Sequence, residues 1–97
     1  MGYQVLLGEQ PREFLDSVDA KTERIVKDHL SALGDEPYPK PDAGRGDREE
    51  LPVDGRSMYR MHISRTYTAL YTIDEDETVV RVREILPIDD AHKRYGY

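Results

Sequence analysis

The stretch that decides the fold is Arg56 to Ile73, RSMYRMHISRTYTALYTI, in a chain of 97 residues. From Met58 to Ile63, two-residue alternation puts Tyr59, Met61 and Ile63 on one face of a strand and Met58, Arg60 and His62 on the other. From Tyr67 to Ile73 it puts Tyr67, Ala69, Tyr71 and Ile73 together, with Thr68, Leu70 and Thr72 opposite. Arg60 and His62 therefore point the same way, about 7 Å apart along the strand. The stretch carries Arg56, Arg60, His62 and Arg65 and no carboxylate, so a polyanion would be met here first.

Downstream, the polar run Asp74 to Glu77 reads as a hairpin tip and Thr78 to Leu86 as a third strand, with Val80 and Val82 opposing Val79, Arg81 and Arg83. Three strands joined by short turns form an antiparallel meander. Pro87 breaks the last of them. Asp89 or Asp90 then caps a short helix or turn carrying Ala91, His92, Lys93, Arg94 and Tyr95, and Gly96 ends it.

Upstream, Tyr3 to Leu7 reads as a strand ended by Gly8. Pro11 suits the first turn of a helix, where its missing N–H is not needed, and Phe14, Leu15 and Val18 fall on one face. Asp19 is a second N-cap, followed by Ile25, Val26, Leu30 and Leu33 at helical spacing, with Gly34 as the stop. Asp35 to Gly55 holds prolines at 37, 39, 41 and 52 and glycines at 44, 46 and 55. That composition denies it a helix or central strand and predicts a long exposed loop. The fold class is α+β: a small antiparallel sheet with a two-helix hairpin on one face, in the order β-α-α-β-β-β, with a short C-terminal helix or tail. Residues 1–97 make a single domain, and the sheet face away from the helices is left for a ligand.

Hydrophobic residues are 37% of the chain and charged residues 35%, which predicts a thin core of one sheet covered on one side. Cysteine is absent, so disulfide and thiolate chemistry are excluded. No signal-peptide pattern or apolar run of roughly 20 residues is present, so the expected site is the cytoplasm, with no membrane partner. The net charge of −6 argues against a nucleic-acid binder, but it is unevenly spread. Residues 1–54 hold seven Lys or Arg against thirteen Asp or Glu, whereas residues 55–97 hold seven of each. A basic face on an acidic body fits that distribution.

No His, Asp and Glu cluster has metal-ligand spacing, and no metal or other cofactor is called for. An imidazole titrates near neutrality without special tuning and a guanidinium pairs readily with phosphate, so the pair is open to contact with a polyanion. The bland alternative for both is a pair of solvent-facing strand residues. Tyr59, Tyr67 and Tyr71 read as sheet-packing residues, His29 as structural, and the charges of the helical hairpin and of Asp74 to Glu77 as solvated surface.

The order of elements, with MYRMHISRTYTALYTID followed by VVRVREILPIDDAHKRYG, resembles the RelE/ParE toxins of type II toxin–antitoxin systems, in particular archaeal RelE-like members. The carrying pattern is a tyrosine with a basic residue, a second tyrosine-bearing strand ending in Ile-Asp, a hairpin, a valine-rich strand, and a basic tail ending near a tyrosine. The resemblance implies a ribosome-dependent, metal-independent mRNA endonuclease that inhibits translation and is silenced by a cognate antitoxin. It makes Arg60, His62 and Tyr95 the catalytic candidates, and beside them Arg56, Arg65, Arg81, Arg83, His92, Lys93 and Arg94 are the candidates for binding phosphate or RNA. The antitoxin would lay a helix or strand across apolar surface.

Two positions depart from the family. It has an arginine directly after the tyrosine of the second strand, where this chain has Thr68. It has another just after the last strand, where this chain reads Pro87-Ile88-Asp89-Asp90. Arg65, Arg81, Arg83, Lys93 and Arg94 are the cations available to substitute. Two further readings follow from these gaps: a ParE-type inhibitor of DNA gyrase, and a catalytically degenerate toxin-like binding protein.

Overall fold

The structure is a computed structural model that describes residues 2–38, 48–53 and 56–95, leaving the side chains of 48, 49, 51–53, 56, 94 and 95 outside the description. The elements are β1 (Gln4–Leu7), α1 (Glu9–Ser17), α2 (Ala20–Asp35), β2 (Arg48–Val53), β3 (Arg56–Ile63), β4 (Tyr67–Asp74), β5 (Val79–Pro87) and α3 (Ile88–Tyr95). The strands form one sheet in the order β1-β5-β4-β3-β2.

The α+β class and the β3-β4-β5 meander stand as the alternation predicts. Tyr59, Met61, Ile63, Ala69, Tyr71, Val80, Val82 and Ile85 pack with Leu15 of α1 and with Val26, Leu30 and Leu33 of α2 in one core. The tyrosines serve packing. Tyr59 stacks on Tyr71 at 5.6 Å between ring centroids, Phe14 meets Tyr67 edge-on at 5.0 Å, and the Tyr71 hydroxyl donates to the Pro37 carbonyl at 2.6 Å. Burial, helped by the nearby Glu50 carboxylate, pushes the Tyr59 phenol upward, so it stays neutral at physiological pH.

Three sequence expectations need correction. First, the segment read as a loop from Asp35 to Gly55 contains β2, which pairs antiparallel with β3 from Arg48↔Met61 to Val53↔Arg56. Pro52 does not prevent this because β2 is an outer strand, where a proline can turn its missing N–H away from the ladder. Second, the sheet is mixed, because β1 pairs parallel with β5. Third, Gly34 lies inside α2 and does not end it. A side chain there would meet the Tyr3 carbonyl oxygen at 3.0 Å, and the Tyr3 N–H donates to the Gly34 carbonyl at 2.6 Å. The glycine lets β1 lie against the helix; the stop comes at Glu36, whose N–H returns to the Ala32 carbonyl.

The β1–β5 pairing reaches only Leu7↔Val82. Beyond it, the Gln10 side chain takes the place of a strand. Its amide nitrogen donates to the Ile85 carbonyl at 2.9 Å, and its oxygen accepts from the Ile85 N–H at 2.8 Å, so these backbone groups are not left unpaired. At the other end of the sheet, the Glu75 carboxylate accepts from the hydroxyls of both Tyr3 and Tyr38. This ties the first strand and the exit of α2 to the β4–β5 hairpin, so part of the acidic tip is structural.

Asp19 caps α2 as the sequence predicts, accepting from the Thr22 N–H at 2.8 Å. Hydrogen bonds from Thr22, its hydroxyl first and then its N–H, hold the Asp19 carboxyl below its ordinary 3.8. A lowered folded-state value means that the charged cap stabilises fully above the unfolded value. That contribution is lost as pH falls through the folded one. In melting curves across the acid range, Asp19→Asn keeps an acceptor but loses this pH dependence, so its melting temperature falls less steeply on acidification. Parallel profiles for the two proteins would contradict the cap's role.

Candidate functional site

Cross-strand registers define the face away from the core. His62 pairs with Thr68, and Thr68 with Leu86; Arg60 pairs with Leu70, and Leu70 with Glu84. Arg81 lies farther toward the hairpin, opposite Thr72. Antiparallel partners share a face, so these residues form successive rows on the side that α1 and α2 leave.

Arg60 and His62 are brought together: Arg60 Nη1 contacts His62 Nε2, and both side chains are half-buried. The local alternation of β3 causes this, because Tyr59, Met61 and Ile63 are locked in the core. The other predicted cations are spread around the pair. Arg65 is exposed in the β3–β4 turn, beside Ser64 with its positive φ of 58°. Arg81 is bound to Glu77 at 3.2 Å. The register slips between Leu70↔Glu84 and Tyr71↔Val82, making Arg83 the extra residue of a β-bulge. It is exposed and borders the same groove as Arg81 and Thr72, so the two arginines lie on one side of the sheet as the sequence predicts. His92 and Lys93 are exposed on α3. Arg56, Arg94 and Tyr95 have only their backbone described.

The bulge also supplies what the sequence reading missed. After it the alternation of β5 reverses, so Ile85 enters the core and Glu84 joins the row of Arg60 across Leu70. Glu49, on the unforeseen β2, is in register with Arg60 on the other side. The stretch without carboxylates is thus bordered by acidic positions from two other strands, and the basic zone is narrower than the linear sequence implies. A strand-wise reading that allowed a bulge would have found Glu84; nothing in the proline-rich segment signalled Glu49.

Elsewhere, a groove between the helices and the end of β1 is lined by Leu7, Glu9, Arg12, Glu13, Asp16 and Glu23, among others. Its balance of charge disfavours a polyanion. Among the described residues no group of three His, Cys, Asp or Glu is placed to hold a metal ion, and no helix is long and apolar enough to cross a membrane.

Thr68 fills the position next to His62, is fully buried, and its hydroxyl has no hydrogen-bond partner. Thr68 is therefore a closed, slightly unfavourable packing position. Burying an unpaired hydroxyl costs about 1–3 kcal/mol, so the nearly isosteric Thr68→Val should raise the thermal midpoint by several degrees. A midpoint lowered by the substitution would show that the hydroxyl does have a partner in solution.

The chain matches the family model of the ParE toxin of the type II toxin–antitoxin system parDE over residues 6–89. A search by sequence among curated proteins finds no match. Among solved structures, the archaeal RelE–RelB complex from Pyrococcus horikoshii OT3 matches at 23% identity, 90% of this chain, 96% of that one and a TM-score of 0.72. The RelBE2 complex from Mycobacterium tuberculosis matches at 21% identity, 88% and 96% coverage and a TM-score of 0.69. The YoeB/ParE toxin from Agrobacterium tumefaciens matches at 18%, with 84% and 94% coverage and a TM-score of 0.67. At such identities these likenesses speak to the fold, which is that of the RelE, YoeB and ParE toxins. With the family match covering most of its length, the chain belongs to the ParE toxin family of type II toxin–antitoxin systems.

Proposed function

We propose that this toxin inhibits translation in the cytoplasm by cleaving mRNA on the ribosome, with Arg60 and His62 as the reactive pair. The observation that carries this reading is their direct contact on the sheet face turned away from α1 and α2. In the proposed reaction His62 removes the proton of a ribose 2′-hydroxyl. The 2′ oxygen bonds to the adjacent phosphorus, and the P–O5′ bond breaks. The products are a 2′,3′-cyclic phosphate and a 5′ oxygen that takes a proton from Tyr95 or water. Arg60 holds the charge that gathers on the phosphate. Arg56, Arg65, Arg83, His92, Lys93 and Arg94 attract the RNA backbone, with Arg81 the least available because Glu77 already holds it.

An antitoxin is the proposed silencing partner, supported by the solved relatives that are toxin–antitoxin complexes. The outer strand β1, whose Leu6 is 40% exposed, offers such a partner apolar surface.

A second reading, inhibition of DNA gyrase, is favoured by two observations: the matching family model is that of ParE, and Thr68 leaves the reactive pair without a third cation. Expression without antitoxin, with mRNA ends and gyrase–DNA breaks mapped in the same cells, separates the readings. The nuclease reading expects new mRNA ends, reduced on the order of 100-fold or more in Arg60→Ala and His62→Gln. Broken DNA with intact mRNA would establish the gyrase reading instead, and normal growth at high expression would leave a binding protein.

A further inference from the structure

The contact between Arg60 and His62 has a direction. A guanidinium carries only donors, so where Arg60 Nη1 meets His62 Nε2 the imidazole must be the acceptor. Such a bond requires a neutral ring with its proton on Nδ1. A protonated ring would set two donors and two positive charges against each other. The lone pair that would take the 2′-hydroxyl proton is therefore occupied in the free protein.

We propose that Arg60 is a latch on His62 that the RNA phosphate opens. This rests on the nuclease reading for its purpose but not for its detection. A phosphodiester offers the guanidinium two charged acceptors in a fork geometry, and such bonds are roughly twice as strong as one to a neutral acceptor. Exchange of imidazole for phosphate moves Arg60 to where charge will develop. It also frees Nε2 beside the same phosphate. The base thus becomes available when substrate has docked, and the two residues act as a resting pair and a working pair by turns.

The positions facing His62 across the sheet, Thr68 and Leu86, are uncharged. Charged residues placed around the pair by register or turn are Glu84 in the row of Arg60, position Glu49 in register with Arg60 on β2, Arg65 in the β3–β4 turn, and His92 and Lys93 on α3. They set a background charge, and Arg60 alone among them is shown bonded to Nε2.

Ring-nitrogen NMR of His62 in the full chain tests the latch, with its signals assigned by loss in His62→Gln. The latch predicts the Nδ1–H tautomer and a titration at least about one pH unit below that in Arg60→Met, because a cation is held against the ring. Arg60→Lys, which keeps the charge, should stay near the wild type. A non-cleavable trinucleotide RNA with 2′-deoxy riboses should raise the wild-type titration toward that of Arg60→Met. An Nε2–H tautomer, or equal titration in wild type and Arg60→Met, would overturn the latch; a titration unmoved by saturating trinucleotide would overturn its opening by phosphate. Intact mRNA in cells together with the predicted NMR behaviour would refute the nuclease reading while leaving the latch in place.

Discussion

Burial of Tyr59 and Tyr71 against the helical hairpin is the constraint on which the rest depends. The two rings stack, and the Tyr71 hydroxyl is anchored on the Pro37 carbonyl. With these side chains committed to the core, the period of two leaves β3 no freedom. A slip by one residue would put Arg60 and His62 into the core and expose Tyr59, Met61 and Ile63, losing about 1.5–3 kcal/mol for each large apolar side chain withdrawn. The same constraint that builds the core thus places the reactive pair on the opposite face. The proposed function is thus a consequence of parity.

Much of this was legible in the sequence because alternation reports parity directly. The faces of β3 and β4, the helical hairpin, the Asp19 cap and the packing role of the tyrosines all follow from spacing. What escaped were features set by contacts distant in sequence. Gly34 reads as a helix stop, but its role is the close approach of Tyr3 and β1 from the start of the chain. Arg48 to Val53 looked like loop because Pro52 is unfavourable in a central strand, and sequence alone did not reveal that this strand would be outermost. The bulge at Arg83 breaks the very periodicity used to read β5, which hid Glu84.

These omissions bear on the site more than on the fold. The linear stretch from Arg56 to Ile73 is free of carboxylates, yet pairing brings acidic positions to both sides of Arg60. Together with the buried Thr68 beside His62, this makes a site with few cations. A site so sparing in positive charge gains from spending its arginine twice, once on the resting imidazole and once on phosphate.

The central claim is therefore that the sheet face carrying Arg60 and His62 is the working face. Amide NMR shifts of the free toxin, followed as a 2′-O-methyl RNA oligonucleotide is added, test it most directly. The account predicts that the largest changes fall on β3, β4 and β5 around Arg60, His62 and Glu84, with α1 and α2 little affected. Changes concentrated on the helical hairpin, with β3 silent, would contradict it.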